Sequence, residues 1–210
     1  CASGLEAIGQ GARAIALGDA ELILAGGVES MSRAPYVMGK AQDGFDRQQT
    51  LEDSTMGWRM INPRMREQYG VESMPQTAEN LAQQFSISRA DQDSFAYRSQ
   101  KRAAQAIANG LLDDDIMPAG TLTRDEQPRH DTRLEKLAGL KPVTGAHGSI
   151  TAGNASSLND GSCALLLASA GAIARYGLTP RARVTGMAAA GVEPRIMGIG
   201  PVPAIQKLLQ

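Results

Sequence analysis

The sequence predicts an α/β protein of short strands and helices, interrupted by a long and mainly helical insertion. Glycine is abundant, at 23 of 210 residues, while aromatic residues make up only 4%. This balance is common in α/β enzymes, where tight glycine turns join strands to helices. Near the start of the chain, helical periodicity is followed by a Gly-Asp stop and then by a short apolar run that ends in glycines. That order is typical of a helix that leads into a buried strand.

The first elements of the chain are a helix and a strand. Apolar residues recur at helical spacing over residues 3–17, and Gly18 is expected to end that helix. The apolar run over residues 21–27 predicts a buried strand. Cys1 therefore stands directly before the N-terminus of a helix.

The middle of the chain, over residues 31–158, is polar and rich in methionine and arginine, with few strand signals. Helices are predicted at 77–85 and at 88–111, as surface helices of this insertion. Ser88 and Asp91 resemble a capping box at the start of the second helix, with Asp in place of the usual Glu.

The last part of the chain returns to the character of the first. The predicted elements are a turn at 159–161, a buried strand at 162–168, a short helix at 170–176, a strand at 183–187, and a rigid loop at 198–203 that leads into a helix from Ala204. We expect the chain to stop inside that helix and therefore short of a natural domain end.

Composition excludes several classes of function. The formal net charge is -1 and the pI is near 6.2, so nothing indicates a nucleic acid partner or an anionic membrane surface. Two cysteines predict neither a disulfide framework nor a structural zinc site, and they suit a reducing cytoplasm. No apolar run is long enough to span a membrane, and no signal peptide is visible. Small molecules are the expected partners.

Cys1 is a candidate nucleophile. A thiolate is the reactive form of cysteine, and the positive end of a helix dipole stabilises it. The residues that follow, Ala2, Ser3 and Gly4, leave room for a substrate. Taken alone, however, Cys1 is more often a buried or merely terminal cysteine than a nucleophile.

Four motifs change this balance. The runs CASGL, GDAELILAGGVESMS, TAGNASSLNDG and MGIGPVPA resemble the thiolase family in order, spacing and wording, and the resemblance extends over essentially the whole chain. It implies the layered α/β/α thiolase fold and a cysteine that carries an acyl group to or from coenzyme A. Coenzyme A is then a substrate, no cofactor or metal is permanently bound, and the full-length protein is a homodimer or homotetramer.

The resemblance assigns roles to seven residues. Cys1 matches the acyl-carrying nucleophile, and Ser156 matches the serine whose hydroxyl contacts the pantetheine amide. The other five match positions around coenzyme A: Ala152 and Leu158 beside the pantetheine, Met74 and Met197 at the reactive end, and Arg129 near the nucleotide.

Each of these residues has an ordinary structural alternative. Met74 and Met197 taken alone are core methionines, Ser156 is a turn hydroxyl, and Arg129 is a surface charge. Ser73 stands where many members of the family carry a histidine, so part of the channel differs here.

Other chemistry-bearing residues fall outside the resemblance. Cys163 lies in a predicted buried strand and is expected to be structural, while His130 and His147 lie in polar loops and match no catalytic histidine. The base histidine, the second cysteine and the oxyanion-hole asparagine of the family belong to later motifs that these 210 residues do not contain. The chain is therefore expected to be part of one about 400 residues long and to be inactive by itself. The stretch 118–125 is expected to be about nine residues shorter than in relatives.

The resemblance also implies domain boundaries. Residues 1–30 and 159–180 are assigned to the N-terminal thiolase domain, 31–158 to a loop domain, and 181–210 to the start of the C-terminal domain.

The stretch STMGWRMINPRMREQYGVESMPQTAEN resembles thiolases that act on 3-oxoadipyl-CoA more than those that act on acetoacetyl-CoA. Such a substrate carries a distal carboxylate, which Arg59, Arg64 or Arg66 could pair with. The alternative places these arginines on a solvated surface or a subunit contact.

Two other classes of function remain open from the residues. An N-terminal-nucleophile hydrolase also begins with a mature cysteine whose own amine acts as base. A non-catalytic module could keep coenzyme A binding or subunit contacts without chemistry.

Overall fold

In the computed structural model, which describes residues 2–210, the chain divides into two units. The first takes the chain up to Met60 together with Leu158–Val192 and Ile199–Gln210, and the second takes Ile61–Ser157 and Glu193–Gly198. The domain boundaries implied by the resemblance stay a prediction.

Helices and strands together confirm the α/β class. The helices are α1 Ser3–Leu17, α2 Pro63–Tyr69, α3 Met74–Gln84, α4 Arg89–Ala108, α5 Leu134–Ala138, α6 Ala170–Tyr176 and α7 Pro201–Leu208. The strands are β1 Leu22–Ser30, β2 Tyr36–Met38, β3 Leu51–Asp53 and β4 Asp160–Ala168. Two 3-10 segments cover Met31–Arg33 and Pro194–Ile199.

The main sheet of the first unit pairs two strands that are far apart in sequence. Strands β1 and β4 run antiparallel, from Leu22 opposite Ala168 to Ser30 opposite Asp160. A second, smaller antiparallel pair joins β2 to β3. The long β1–β4 ladder is what brings the start of the chain to the segment that follows the insertion.

Helix α1 packs on one face of the β1–β4 pair through glycine. A Cβ on Gly11 would lie 2.8 Å from Leu167 Cδ1 and 3.2 Å from Ile23 Cγ2, so only a residue without a side chain allows this approach. The helix ends, as predicted, at Gly18, which has a left-handed φ of 82°.

The predicted strands exist, but their limits differ. Strand β1 continues past the glycines to Ser30. The predicted turn at 159–161 is wrong, because Asp160 and Gly161 already belong to β4 and lie opposite Ser30 and Glu29. Partner pairing in the ladder overrides the local turn preference of Asn-Asp-Gly.

The prediction that both strands are buried is also wrong. Leu24 is 73% exposed and Val28 79% exposed, and Cys163 is a free, exposed thiol. Among residues 2–210, the sheet consists of β1 and β4 alone, and α1 covers the face that carries Ile23 and Leu167. The structure therefore does not support a buried structural role for Cys163.

In the second unit, serine caps fix the helix starts. The Ser88 hydroxyl accepts from the Asp91 N–H at 3.1 Å and donates to the Asp91 carboxylate at 2.6 Å, so the predicted cap is confirmed. The helix ends at Ala108, before the predicted limit of 111.

Helix α3 begins three residues earlier than predicted. The Ser73 hydroxyl accepts from the Gln76 N–H at 3.4 Å, and a proline follows within the first turn. Serine at the cap and proline inside the first turn are a common helix start, and this brings Met74 to the first helical position.

Two predictions for the end of the chain are wrong. No strand forms at 183–187; instead Met187 packs against α1, with its Cε 2.8 Å from the position of a Cβ on Gly9. The last helix begins at Pro201 rather than Ala204, because proline is well suited to the first helical position. The helix predicted at 170–176 is confirmed as α6, with Gly177 closing it.

None of the helices within residues 2–210 combines the length and the apolar character that crossing a membrane requires.

Candidate active site

The TAGNAS segment forms a tight turn around a buried threonine. Thr151 is fully buried, and its backbone N–H donates to the Asn154 side-chain oxygen at 2.8 Å. The Thr151 carbonyl accepts from the Ala155 N–H at 3.1 Å, and its hydroxyl accepts from the Gly153 N–H at 3.2 Å. The turn is therefore closed by its own first residue.

A buried carboxylate on α3 holds the stretch that enters this turn. Glu79 is 5% exposed. Its Oε1 accepts from the Thr144 hydroxyl at 2.5 Å, from the Ser149 N–H at 2.6 Å and from the Ile150 N–H at 2.8 Å. Its Oε2 accepts from the Ser149 hydroxyl at 2.8 Å. These donors are hydroxyls and backbone N–H groups, so the charge is balanced here by dipoles.

Two opposing causes act on the pKa of Glu79. Burial raises the pKa because it disfavours the charged carboxylate. The hydrogen bonds from Ile150, Thr144 and Ser149 outweigh burial, and they hold the pKa of Glu79 below its ordinary value of 4.5. The carboxylate is therefore ionised in the folded protein near neutral pH.

A second buried carboxylate, on α4, holds the other side of the turn. Asp93 is 4% exposed; it accepts from the Asn154 side-chain amide at 3.0 Å and pairs with the Arg89 guanidinium at 2.8 Å. Arg89 donates in turn to the carbonyls of Leu137 at 2.7 Å and Leu140 at 3.1 Å. The turn is thus connected through Asp93 to α5.

The structure places two of the predicted pantetheine residues on this turn. Ala152 and Ser156 are both exposed, and Ser156 directly follows Ala155, whose N–H closes the turn. Leu158, 52% exposed, belongs to the other unit.

Met74 and Met197 lie on two segments that bind each other. Their side chains are 55% and 40% exposed. The Arg195 guanidinium pairs with the Glu72 carboxylate at 2.5 Å, and the Asn80 side-chain amide donates to the Arg195 carbonyl at 2.9 Å. The segment that carries Met197 is therefore bound to α3 at two points, by Glu72 just before the helix and by Asn80 within it.

The Glu72–Arg195 pair also shifts the titration of both groups. The hydrogen bond and the charge of Arg195 lower the pKa of Glu72, and Glu72 raises the pKa of Arg195. Both groups are consequently charged across the neutral range.

Arg129 is held by different contacts. Its backbone N–H donates to the Gln100 side chain on α4 at 2.7 Å, and its carbonyl accepts from the Thr132 hydroxyl at 2.8 Å. The residue is exposed, as are His130 and His147, in agreement with the prediction that both histidines are solvated.

The three arginines considered for substrate carboxylate binding are divided between the units. Arg59 lies in the first unit, where its guanidinium donates to the Gly57 carbonyl at 2.7 Å. Arg64 and Arg66 lie on α2 in the second unit.

Cys1 lies outside the described residues, so its predicted role is not addressed by the geometry. Within residues 2–210, no group of three or more His, Cys, Asp or Glu side chains is placed to hold a metal ion.

Sequence reasoning missed the residues that shape the turn. Glu79 and Asp93 were expected only as parts of surface helices, and Asn154 only as part of the TAGNAS motif. One signal was available for Asp93, because Arg89 and Asp93 are four residues apart and such pairs meet on a helix face. No local signal predicts that Glu79 is buried, since its partners lie more than sixty residues away in sequence.

Comparison with known proteins identifies the family. The model of the thiolase N-terminal domain matches residues 1–171. The beta-ketoadipyl-CoA thiolase of Pseudomonas aeruginosa is 60% identical over 218 residues, covering 100% of this chain and 54% of its own length. The 3-oxoadipyl-CoA/3-oxo-5,6-dehydrosuberyl-CoA thiolase of Escherichia coli K12 is 55% identical, with coverage of 100% and 55%. This chain belongs to the thiolase family.

Solved structures agree on the fold. Human mitochondrial 3-ketoacyl-CoA thiolase in complex with CoA superposes with a TM-score of 0.87 at 39% identity, covering 100% of this chain and 53% of that one. The predicted thiolase fold is thereby confirmed. The chain spans about half the length of the curated relatives it matches. The alignments extend over 218 or 219 positions for a chain of 210 residues, and the shortening at 118–125 stays a prediction.

Proposed function

We propose that the complete protein is a thiolase that cleaves 3-oxoadipyl-CoA with coenzyme A, giving succinyl-CoA and acetyl-CoA. One observation carries this proposal. Relatives named for this substrate, also called beta-ketoadipyl-CoA, match the whole chain at 60% and 55% identity, whereas the acetyl-CoA acetyltransferase of Pseudomonas aeruginosa matches it at 47%.

The proposed reaction uses the thiolate of Cys1 as nucleophile. Its sulfur attacks the 3-oxo carbon, and the bond between the α-carbon and that carbon breaks. The electron pair passes to the enolate of acetyl-CoA, which takes a proton and leaves. The succinyl group stays on Cys1 as a thioester until the thiol of coenzyme A attacks it and restores the free cysteine. The acid and base groups are assigned to later motifs of the family.

In this proposal the described residues bind the thioester. Ser156 and its neighbours Ala152 and Leu158 hold the pantetheine, and the exposed hydroxyl of Ser156 suits the pantetheine amide because it can both donate and accept. Arg129 is exposed, and its guanidinium is suited to phosphate or to stacking on a base. Met74 and Met197 supply soft, adaptable contacts around the acyl end.

Selection of the acyl chain is assigned to the arginines near α2. A free carboxylate at the far end of the substrate can accept charge-assisted hydrogen bonds from Arg59, Arg64 or Arg66. If alanine at each of the three positions leaves the preference for 3-oxoadipyl-CoA over acetoacetyl-CoA unchanged, this assignment is wrong.

The test of the function is thiolysis by the complete protein. We expect coenzyme A-dependent cleavage of 3-oxoadipyl-CoA, and an acyl adduct that peptide mapping places on Cys1. Cys1→Ala should abolish both, while the matched variant Cys163→Ala should retain them. Equal or faster cleavage of acetoacetyl-CoA would favour the short-chain type, which the 47% identical acetyltransferase represents. Coenzyme A binding without an adduct would favour a non-catalytic module.

Assembly of the complete protein into a homodimer or homotetramer, and a cytoplasmic location, belong to the same proposal. The oligomeric state is measured directly by light scattering of the purified protein. A monomer that cleaves 3-oxoadipyl-CoA would remove the oligomer from the proposal and leave the activity in place.

A further inference from the structure

The Glu79 carboxylate occupies a position that is costly unless it is fully hydrogen-bonded. A buried charge loses its hydration, and only dipoles or counter-charges aimed at it can replace that stabilisation. Here two hydroxyls and two backbone N–H groups converge on the two oxygens, at 2.5–2.8 Å. Such bonds to an ionised acceptor are stronger than those between neutral groups.

The backbone donors are the ones that matter for the turn. Ser149 and Ile150 immediately precede Thr151, and their N–H groups both point at Oε1 of Glu79. The Ile150 carbonyl accepts from the Val143 N–H at 2.8 Å. The entrance to the turn is therefore fixed to α3, and the exit is fixed to α4 through the Asn154 amide and Asp93.

The residue before these donors has no space for a side chain. A Cβ on Gly148 would lie 2.0 Å from the Thr144 hydroxyl and 2.7 Å from Oε1 of Glu79. A real Cβ does not come this close to another heavy atom, so a side chain at Gly148 requires the Thr144 hydroxyl and the Glu79 carboxylate to shift. We use the name Glu79 cradle for the Glu79 carboxylate together with its donors Thr144, Ser149 and Ile150 and with Gly148.

We infer that Glu79 is a positioning residue for thioester binding: the Glu79 cradle fixes the backbone that presents Ser156 to the pantetheine arm. This inference rests on the proposed function. A turn that is already ordered before the thioester arrives does not lose conformational entropy on binding. Glu79 itself touches no part of the substrate in this account and acts only through the turn.

Two thioesters distinguish positioning from a general structural role. Acetyl-CoA carries the pantetheine arm, and S-ethyl thioacetate does not. We measure the rate of Cys1 acylation by each in the complete protein, using intact mass. A variant that is merely less folded loses both rates in proportion, so their ratio stays constant. A variant with a displaced turn loses the acetyl-CoA rate selectively.

Glu79→Gln is the first variant, because it keeps the shape and removes the charge. We expect the ratio of the acetyl-CoA rate to the S-ethyl thioacetate rate to fall about tenfold, the order of effect for losing charge-assisted hydrogen bonds. Gly148→Ala places a methyl group against Thr144 and Glu79, so it should lower the same ratio. Glu135→Gln, the same change at an exposed position of α5, should leave it unchanged.

Thr144→Val keeps the test decisive if the first two variants do not fold, since it removes a single hydroxyl from the edge of the cradle. It should lower the ratio by less than Glu79→Gln. A ratio equal to that of the unmodified protein, in every cradle variant that folds, overturns the positioning role. An unmodified protein that is not acylated on Cys1 by either thioester overturns the proposed function, and the inference with it.

Discussion

The two units differ in the polar side chains that they bury. Among the described residues of the first unit, the buried side chains are Ala25 and Ala172, and glycine allows close approach of α1 to the sheet. The second unit buries apolar residues too, but it also buries the polar side chains of Thr77, Glu79, Asp93 and Thr151. The first is held by backbone pairing and steric fit, the second by hydrogen bonds that connect distant segments.

The two kinds of region respond differently to substitution. Where two backbone segments pack directly against each other, a substitution that adds volume destabilises the fold most. Where buried carboxylates hold loops by hydrogen bonds, a substitution that removes a partner or the charge destabilises the fold most. The remaining polar groups then stay buried without a hydrogen bond.

Gly26→Ala should have the largest effect on stability. Its Cβ would lie 2.1 Å from the Cys163 carbonyl oxygen and 2.9 Å from the Ala164 Cα, and neither backbone atom can rotate away. The free energy of unfolding should fall by about 3 kcal/mol, the upper end of overpacking costs, as measured by urea unfolding of the complete protein. The control is Gly161→Ala in β4, where nothing lies within 4 Å. Equal stability of the two variants would contradict the steric account.

Asp93→Asn should come next. It keeps the volume but weakens the bond to Arg89 and turns one carboxylate oxygen into a donor that faces donors. The expected loss is about 2 kcal/mol in the free energy of unfolding, within the range for a buried polar group left unsatisfied. Asp114→Asn, an exposed change of the same kind, should have no measurable effect. If Asp93→Asn behaves like Asp114→Asn, hydrogen bonding does not hold the second unit together.

The pH dependence of stability should identify the charged form of Glu79 as the stabilising one. Because its pKa is lowered in the folded protein, Glu79 contributes stability that is complete above its ordinary value of 4.5 and is lost as pH falls through the folded pKa. The unmodified protein should therefore lose stability more steeply below pH 4.5 than Glu79→Gln. Parallel curves for the two proteins would mean that this carboxylate is not stabilised by folding.

The Glu72–Arg195 pair should give the smallest effect. The Arg195 side chain is 54% exposed, so solvent and salt screen the interaction. A double-mutant cycle with Glu72→Gln and Arg195→Gln should give a weak coupling that decreases in high salt. The Glu6–Arg13 pair of α1, about half exposed on both sides, serves as the comparison and should couple even less. Salt-independent coupling in both pairs would contradict this ranking.

The sequence was sufficient for features that depend on local chemistry. Periodicity, capping and a left-handed glycine predict the helix over 3–17 with its stop at Gly18, the Ser88 cap and the helix at 170–176, and all are confirmed. Family motifs identified the thiolase fold.

Features that depend on contacts between distant segments could not be read from the sequence. The length of β1 is set by its ladder with β4, in which Leu24 lies opposite Leu166 and Val28 lies opposite Ser162. These partners are far apart in the sequence, so no local signal encodes the pairing. The burial of Glu79 likewise depends on Thr144, Ser149 and Ile150, which are brought to α3 only by the fold.

Amide hydrogen exchange in the complete protein measures directly whether the buried Glu79 carboxylate fixes the turn that carries Ser156. In Glu79→Gln, compared with Glu135→Gln, the amides of Ser149 and Ile150 should exchange roughly tenfold faster. Amides of β1 and β4 should keep their rates, because the first unit does not depend on the Glu79 cradle. Unchanged exchange at Ser149 and Ile150, or the same acceleration in β1 and β4, would contradict the account.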